Sequence, residues 1–101
     1  MGVFLVDMHF KDLEKLTPEL TAKHRLYLEG EYKFGSLLFG GRKNPRTGGI
    51  IVSRHNTEEA LQRVLDKDPF IESGVAVYSL IEFEPVMASE QFLHLLKMSS
   101  H

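Results

Sequence analysis

Gly35-Ser36-Leu37-Leu38-Phe39-Gly40-Gly41-Arg42-Lys43-Asn44-Pro45-Arg46-Thr47-Gly48-Gly49-Ile50-Ile51-Val52 is the stretch that decides the architecture of this 101-residue chain. Two short apolar runs, Ser36 to Phe39 and Ile50 to Val52, flank ten residues of glycine, proline, asparagine, threonine and charge. Apolar runs bounded in this way read as two strands joined by a loop. The loop, Gly40 to Gly49, carries Arg42, Lys43 and Arg46 and no acid.

Outward from this hairpin the hydrophobic period changes on both sides. Upstream, Leu20, His24, Tyr27, Leu28 and Glu31 recur at the spacing of one helical stripe. Thr17 reads as its N-cap and Pro18 as its first residue, because proline has no amide to leave unpaired there and its φ suits a first turn. Glu19 adds a negative charge at the positive end of the helix dipole. Before this helix, Val3 to Phe10 reads as a strand with Phe4, Val6, Met8 and Phe10 on one face and Val3, Leu5, Asp7 and His9 on the other. The second face turns polar, so the first is expected against helices and the second to line something wetter. Downstream, Asn56 with Glu59 matches a capping box opening a helix whose stripe is Ala60, Leu61, Val64 and Leu65. Pro69 ends that helix, Val75 to Phe83 is the last strand, and Ser89 is placed to cap a short tail helix bearing Phe92, Leu93 and Leu96.

The resulting order, β-α-β-β-α-β, predicts an α+β fold of the ferredoxin-like kind: a four-stranded antiparallel sheet with both helices on one face, followed by a short C-terminal helix. Residues 1–85 are assigned to this domain and 86–101 to the tail. Leu20, Tyr27, Leu28, Leu61, Val64 and Leu65 are the expected helix core. The other sheet face, with Leu5, Leu37, Ile51 or Val77 or their neighbours, is too apolar to stay bare, and self-association is expected.

Composition narrows the function classes. The chain has 12 basic and 14 acidic residues, for a net charge of −2, which argues against coating nucleic acid or anionic lipid. There is no cysteine, so thiolate nucleophiles, disulfides and Cys-ligated zinc are excluded. No apolar run is long enough to span a bilayer, and the first residues, with Asp7 so early, lack the pattern of a secretory signal; a cytoplasmic protein is expected. The five histidines show no metal-ligand spacing, His94 and His101 falling in the tail and His55 beside a cap.

Two residues stand out for chemistry. His24 sits mid-helix on an otherwise apolar stripe, where a neighbouring acid can equip an imidazole for acid/base work; a core histidine bonded to backbone is the alternative. Asp68 precedes Pro69 and either organises its own turn or orients an imidazole. The basic loop offers Arg42, Lys43, Arg46 and free amides to an anion, or is a solvated connection; it is not a P-loop. Asp7 and His9 line the wetter cleft or sit near the sheet edge.

The runs His24-Arg25-Leu26-Tyr27-Leu28, Gly35-Ser36-Leu37-Leu38-Phe39-Gly40-Gly41, Asn56-Thr57-Glu58-Glu59-Ala60, Asp68-Pro69-Phe70 with Gly74, and Ile81-Glu82-Phe83-Glu84-Pro85 together resemble the YCII-related family, over roughly residues 3 to 85. The family pattern usually has a proline after the second strand's glycine, where this chain has Arg42. The resemblance implies a dimeric ferredoxin-like α/β barrel, with His24 and Asp68 as a catalytic pair in a pocket beside the sheet. Asp7, Tyr27, Gly41, Arg42 and Phe70 are the candidate substrate-binding residues. The expectation is a cofactor-independent homodimeric enzyme, without metal, that abstracts a proton from a small organic substrate in an elimination or isomerisation. A non-catalytic metabolite-binding or protein-interaction module and a cofactor-free oxygenase are the alternatives.

Overall fold

In the computed structural model, which describes residues 2–99, His101 and the rest of the chain's end lie outside the described residues. Strand β1 (Gly2–Phe10) leads through a short 3-10 turn to helix α1 (Pro18–Phe34), strand β2 (Leu37–Arg42) and strand β3 (Gly48–His55). Helices α2 (Glu58–Leu65) and α3 (Pro69–Glu72), strand β4 (Ala76–Phe83) and, after a second 3-10 turn, helix α4 (His94–Ser99) complete the chain. The sheet order is β2-β3-β1-β4, and every neighbouring pair is antiparallel. Each βαβ crossover therefore skips one strand, which is the ferredoxin-like arrangement.

Local chemistry sets the helix ends. Thr17 accepts from the Leu20 amide at 3.1 Å, Pro18 opens α1, and Gly35 closes it in the left-handed conformation at φ 99°. At α2 the cap is Thr57, whose hydroxyl accepts from the Ala60 amide. Asn56 is thus not the capping residue: a threonine one position later offers the same acceptor with its backbone already extended. Ser89 precedes a 3-10 turn, Glu90–Phe92, and makes no side-chain cap bond. Both strands of the hairpin are longer than their apolar cores, because Gly40, Gly41, Arg42 and Gly49 pair in the ladder between them and Gly48 pairs with His9 of β1. The loop shrinks to residues 43–47.

The core lies between the sheet and the helices. Phe4, Val6, Leu37, Ile51, Leu61 and Leu65 form its main cluster, and Met8, Phe70, Val75 and Ala76 a second at the far end of β1. Of the expected helix core, Leu61 and Leu65 are fully buried, whereas Val64, Leu20, Tyr27 and Leu28 are half-buried. No residue of α1 is fully buried. The reason is a cavity between α1 and the sheet, into which part of the helix's inner face looks.

On the opposite sheet face, Phe39, Ile81 and Phe83 remain exposed. Phe92 of the tail comes to Phe39, with ring centroids 6.3 Å apart, and α4 lies against β1. No helix among the described residues is long and apolar enough to cross a membrane.

Candidate active site

Asp68 organises the site. It ends the turn after α2 and is the N-cap of α3, with its Oδ1 accepting from the Phe70 amide at 3.0 Å. The same oxygen accepts from Nδ1–H of His24 at 2.7 Å, across a sequence separation of 44. The carboxylate is wholly buried, and its other oxygen has no protein partner among the described residues. A buried carboxylate requires compensating donors, and here they are one backbone amide and one imidazole. Turn organisation and imidazole orientation, alternatives in the sequence, coexist in a single side chain.

Accepting from Nδ1 fixes the tautomer. The neutral ring carries its proton on Nδ1, which leaves the Nε2 lone pair free to accept another. The ring plane is fixed as well: Phe70 stacks on His24 with centroids 3.8 Å apart and planes 7° apart, and Phe10 meets Phe70 edge-on at 5.9 Å. The sequence Asp68-Pro69-Phe70 thus supplies the acceptor, the helix start and the stacking ring from three consecutive residues.

His24 lines a cavity of about 380 Å³. Met8, Phe10, Phe70 and Ile51 contribute an apolar floor, Leu28 and Tyr32 the α1 side, and Gly40, Gly41, Gly48 and Gly49 a hairpin side bare of side chains. Burial pushes the Tyr32 hydroxyl above the usual value of 10. A second depression of about 440 Å³ lies over Lys11, Asp12, Lys15 and Tyr78, and His24 is not among its lining residues.

Gly41, Arg42 and Phe70 line the cavity with His24, but Asp7 and Tyr27 do not. Asp7 lies on the opposite sheet face, where Lys43 pairs with it. The wetter face read from Asp7 and His9 is therefore not the cleft; the cleft is on the helix side, opened by glycine rather than marked by polar strand residues. Tyr27, three residues beyond His24, turns toward α2 and donates to the Val64 carbonyl at 2.7 Å. Burial first, then the charges of Glu31 and Asp68, raise its pKa above 10. Arg25 and Tyr32 are cavity residues that the apolar stripe missed; their spacing from Thr21 and Leu28 is the signal that marks them.

No group of three metal-ligating side chains is found among the described residues. A family model described as "YCII-related domain" matches residues 3–84. Among solved structures, the chain is similar to 5-chloro-2-hydroxyhydroquinone dehydrochlorinase from Burkholderia phenoliruptrix AC1100 in complex with 2,5-dihydroxybenzoquinone. The TM-score is 0.68 at 16% identity, over 80% of this chain and 92% of that one, a likeness of fold. No curated protein matches the sequence.

Proposed function

The chain belongs to the YCII-related domain family, and on that premise we propose that it is a small-molecule enzyme whose base is His24, oriented by Asp68. The observation that carries this reading is the 2.7 Å bond from His24 Nδ1 to a fully buried carboxylate at the wall of a cavity. In the proposed step, Nε2 takes a proton from carbon next to a carbonyl or enol. The electron pair left behind either expels a leaving group on the neighbouring carbon, an elimination, or is reprotonated elsewhere by the same imidazolium, an isomerisation. Asp68 stabilises the imidazolium while it holds the proton. Such acid/base work is worth about 10²–10⁴-fold, and positioning in the cavity supplies the rest. The dehydrochlorinase activity of the similar structure is an elimination and supports the class.

Chloride release from 5-chloro-2-hydroxyhydroquinone, and solvent deuterium exchange into a panel of cyclic diketones, test the proposal. Turnover or exchange should fall at least 10²-fold in His24→Gln, which retains a donor for Asp68. Ligands that bind the cavity without exchange or elimination would make it a binding module instead.

The assembly belongs to the same proposal. Phe39, Ile81 and Phe83 share the open sheet face, and a second copy of the chain covers them in a homodimer. Light scattering should return about twice 11.5 kDa; a monomer at every concentration up to hundreds of micromolar rejects it.

A further inference from the structure

The cavity under α1 is charged in one sense. Its wall holds Arg25 of α1, Arg42 at the end of β2 and Arg46 of the following loop, against the single carboxylate of Glu29. The ion pairs among the described residues are Lys15 with Asp12, His24 with Asp68 and Lys43 with Asp7, so none of these three guanidinium groups is paired. Lys43, the loop's third cation, is engaged on the other sheet face, which leaves the hairpin's charge at the cavity to two arginines. The charge of Asp68 is enclosed and bonded to His24. In a chain whose net charge is −2, this concentration of positive charge is local, and such a cleft attracts and orients anions.

Shape narrows the ligand further. Below the arginines the floor is apolar and aromatic, and the glycines of β2 and β3 leave a side wall of bare backbone. A Cβ at Gly40 would come within 2.5 Å of the Tyr32 hydroxyl and 2.6 Å of the Ile50 carbonyl, so the narrow space between hairpin and helix depends on glycine there. Helix α1 meets the cavity through Thr21 to Tyr32, its middle turns, and no lysine lines it, so neither a helix N-terminus nor an ammonium is there to favour phosphate. A guanidinium fork pairs with carboxylate and phosphate alike, and of the two the carboxylate continues the plane of a ring lying on a flat apolar floor.

We infer that the site takes a planar cyclic substrate bearing a carboxylate, its ring over the apolar floor beside His24 and its carboxylate held by Arg42 and Arg46. This rests on the cavity being the active site and adds the substrate class.

The test is titration of the full chain with 2,5-dihydroxybenzoate, its methyl ester and phenyl phosphate, followed by calorimetry and by the His24 ring resonances. The acid should bind at least tenfold more tightly than the ester at low salt, and more tightly than phenyl phosphate. The gap between acid and ester should shrink as salt rises. It should fall within about twofold in Arg42→Ala/Arg46→Ala, whose replaced side chains are both exposed, and persist in Arg63→Ala on α2. A gap that survives the double substitution, or a preference for the phosphate, overturns the inference. Equal binding of acid and ester that still moves the His24 resonances removes the carboxylate and keeps the cavity as the ligand site. No effect of any probe on His24 removes both.

Discussion

Phe70 lies flat on His24, ring centroids 3.8 Å apart, while its own amide shares with His24 Nδ1 the same oxygen of Asp68. One three-residue turn therefore sets the ring's plane, its tautomer and the direction of its free nitrogen.

The neutral His24 ring should accordingly be protonated on Nδ1. In ¹⁵N spectra of the histidine side chains, Nε2 should resonate as an unprotonated nitrogen; the opposite tautomer refutes the assignment. Asp68→Asn should lower any turnover by about 10²–10⁴-fold while the fold persists. His24→Ala strands the Asp68 carboxylate with one donor and should cost about 3 kcal/mol in urea unfolding.

Two glycines should respond in opposite directions to alanine. Gly48 has φ 156°, and a Cβ there would press on the Met8 carbonyl and stand 2.6 Å from the His9 Cα, both backbone atoms of β1. Gly48→Ala should destabilise by more than about 2 kcal/mol. Gly30 lies inside α1 with nothing within 4 Å of the added carbon, so Gly30→Ala should stabilise by about 0.5–1 kcal/mol. Thermal unfolding of the pair checks both.

Acid should weaken the fold through His55. The residue is 9% exposed, neither ring nitrogen has a partner among the described residues, and burial lowers its pKa below 6.5. The unfolded chain then binds its proton first as pH falls. Stability from this residue is complete above pH 6.5, declines below it, and levels off under the folded value. The slope is at most about 1.4 kcal/mol per pH unit. Unfolding measured from pH 8 to pH 5 should show this loss, and His55→Phe should flatten it.

At the alkaline end the tyrosines act in concert. Burial raises all three, and Tyr78, which donates to Asp66 Oδ1 at 2.8 Å, is pushed up to about 12. Absorbance titration should show less than half of the tyrosine ionised at pH 10. Unfolded tyrosines ionise first, so stability is lost as pH rises past 10. A full transition centred at pH 10 in the folded protein contradicts the environments described for these side chains.

How much of this was legible in the sequence depended on how local the controlling chemistry is. Thr17 and Pro18 open α1 by their own backbone preferences, and the structure keeps them there, while the closing role of Gly35 at its other end shows only in the structure. The capping box slipped from Asn56 to Thr57 because two adjacent residues offer similar acceptors. Gly40 to Arg42 and Gly48 to Gly49 read as loop because glycine carries little strand preference, whereas ladder pairing with a neighbour held them extended. Helix α3 is four residues long, too short to show a period. The meeting of His24 with Asp68 is set by the crossing of distant elements, and the helix spacing alone left both bland readings standing. The cavity was the least legible feature, since it is made from side chains that are not there.

Helix α1 has no fully buried side chain, yet it carries the histidine. Two polar bonds tie its middle to the rest of the molecule, His24 to Asp68 and Tyr27 to the Val64 carbonyl. With only partly buried apolar contacts from Leu20, Leu28 and Tyr32 beside these pins, the helix has a shallower energy well for lifting and sliding than a fully buried one, since hydrogen bonds are traded with water more readily than buried hydrocarbon is. The width of the cleft is then a thermal variable, and amide exchange along α1 should outpace that of β1. On the function proposed above, admission and release of a ligand become breathing of this one helix over a sheet that stays still.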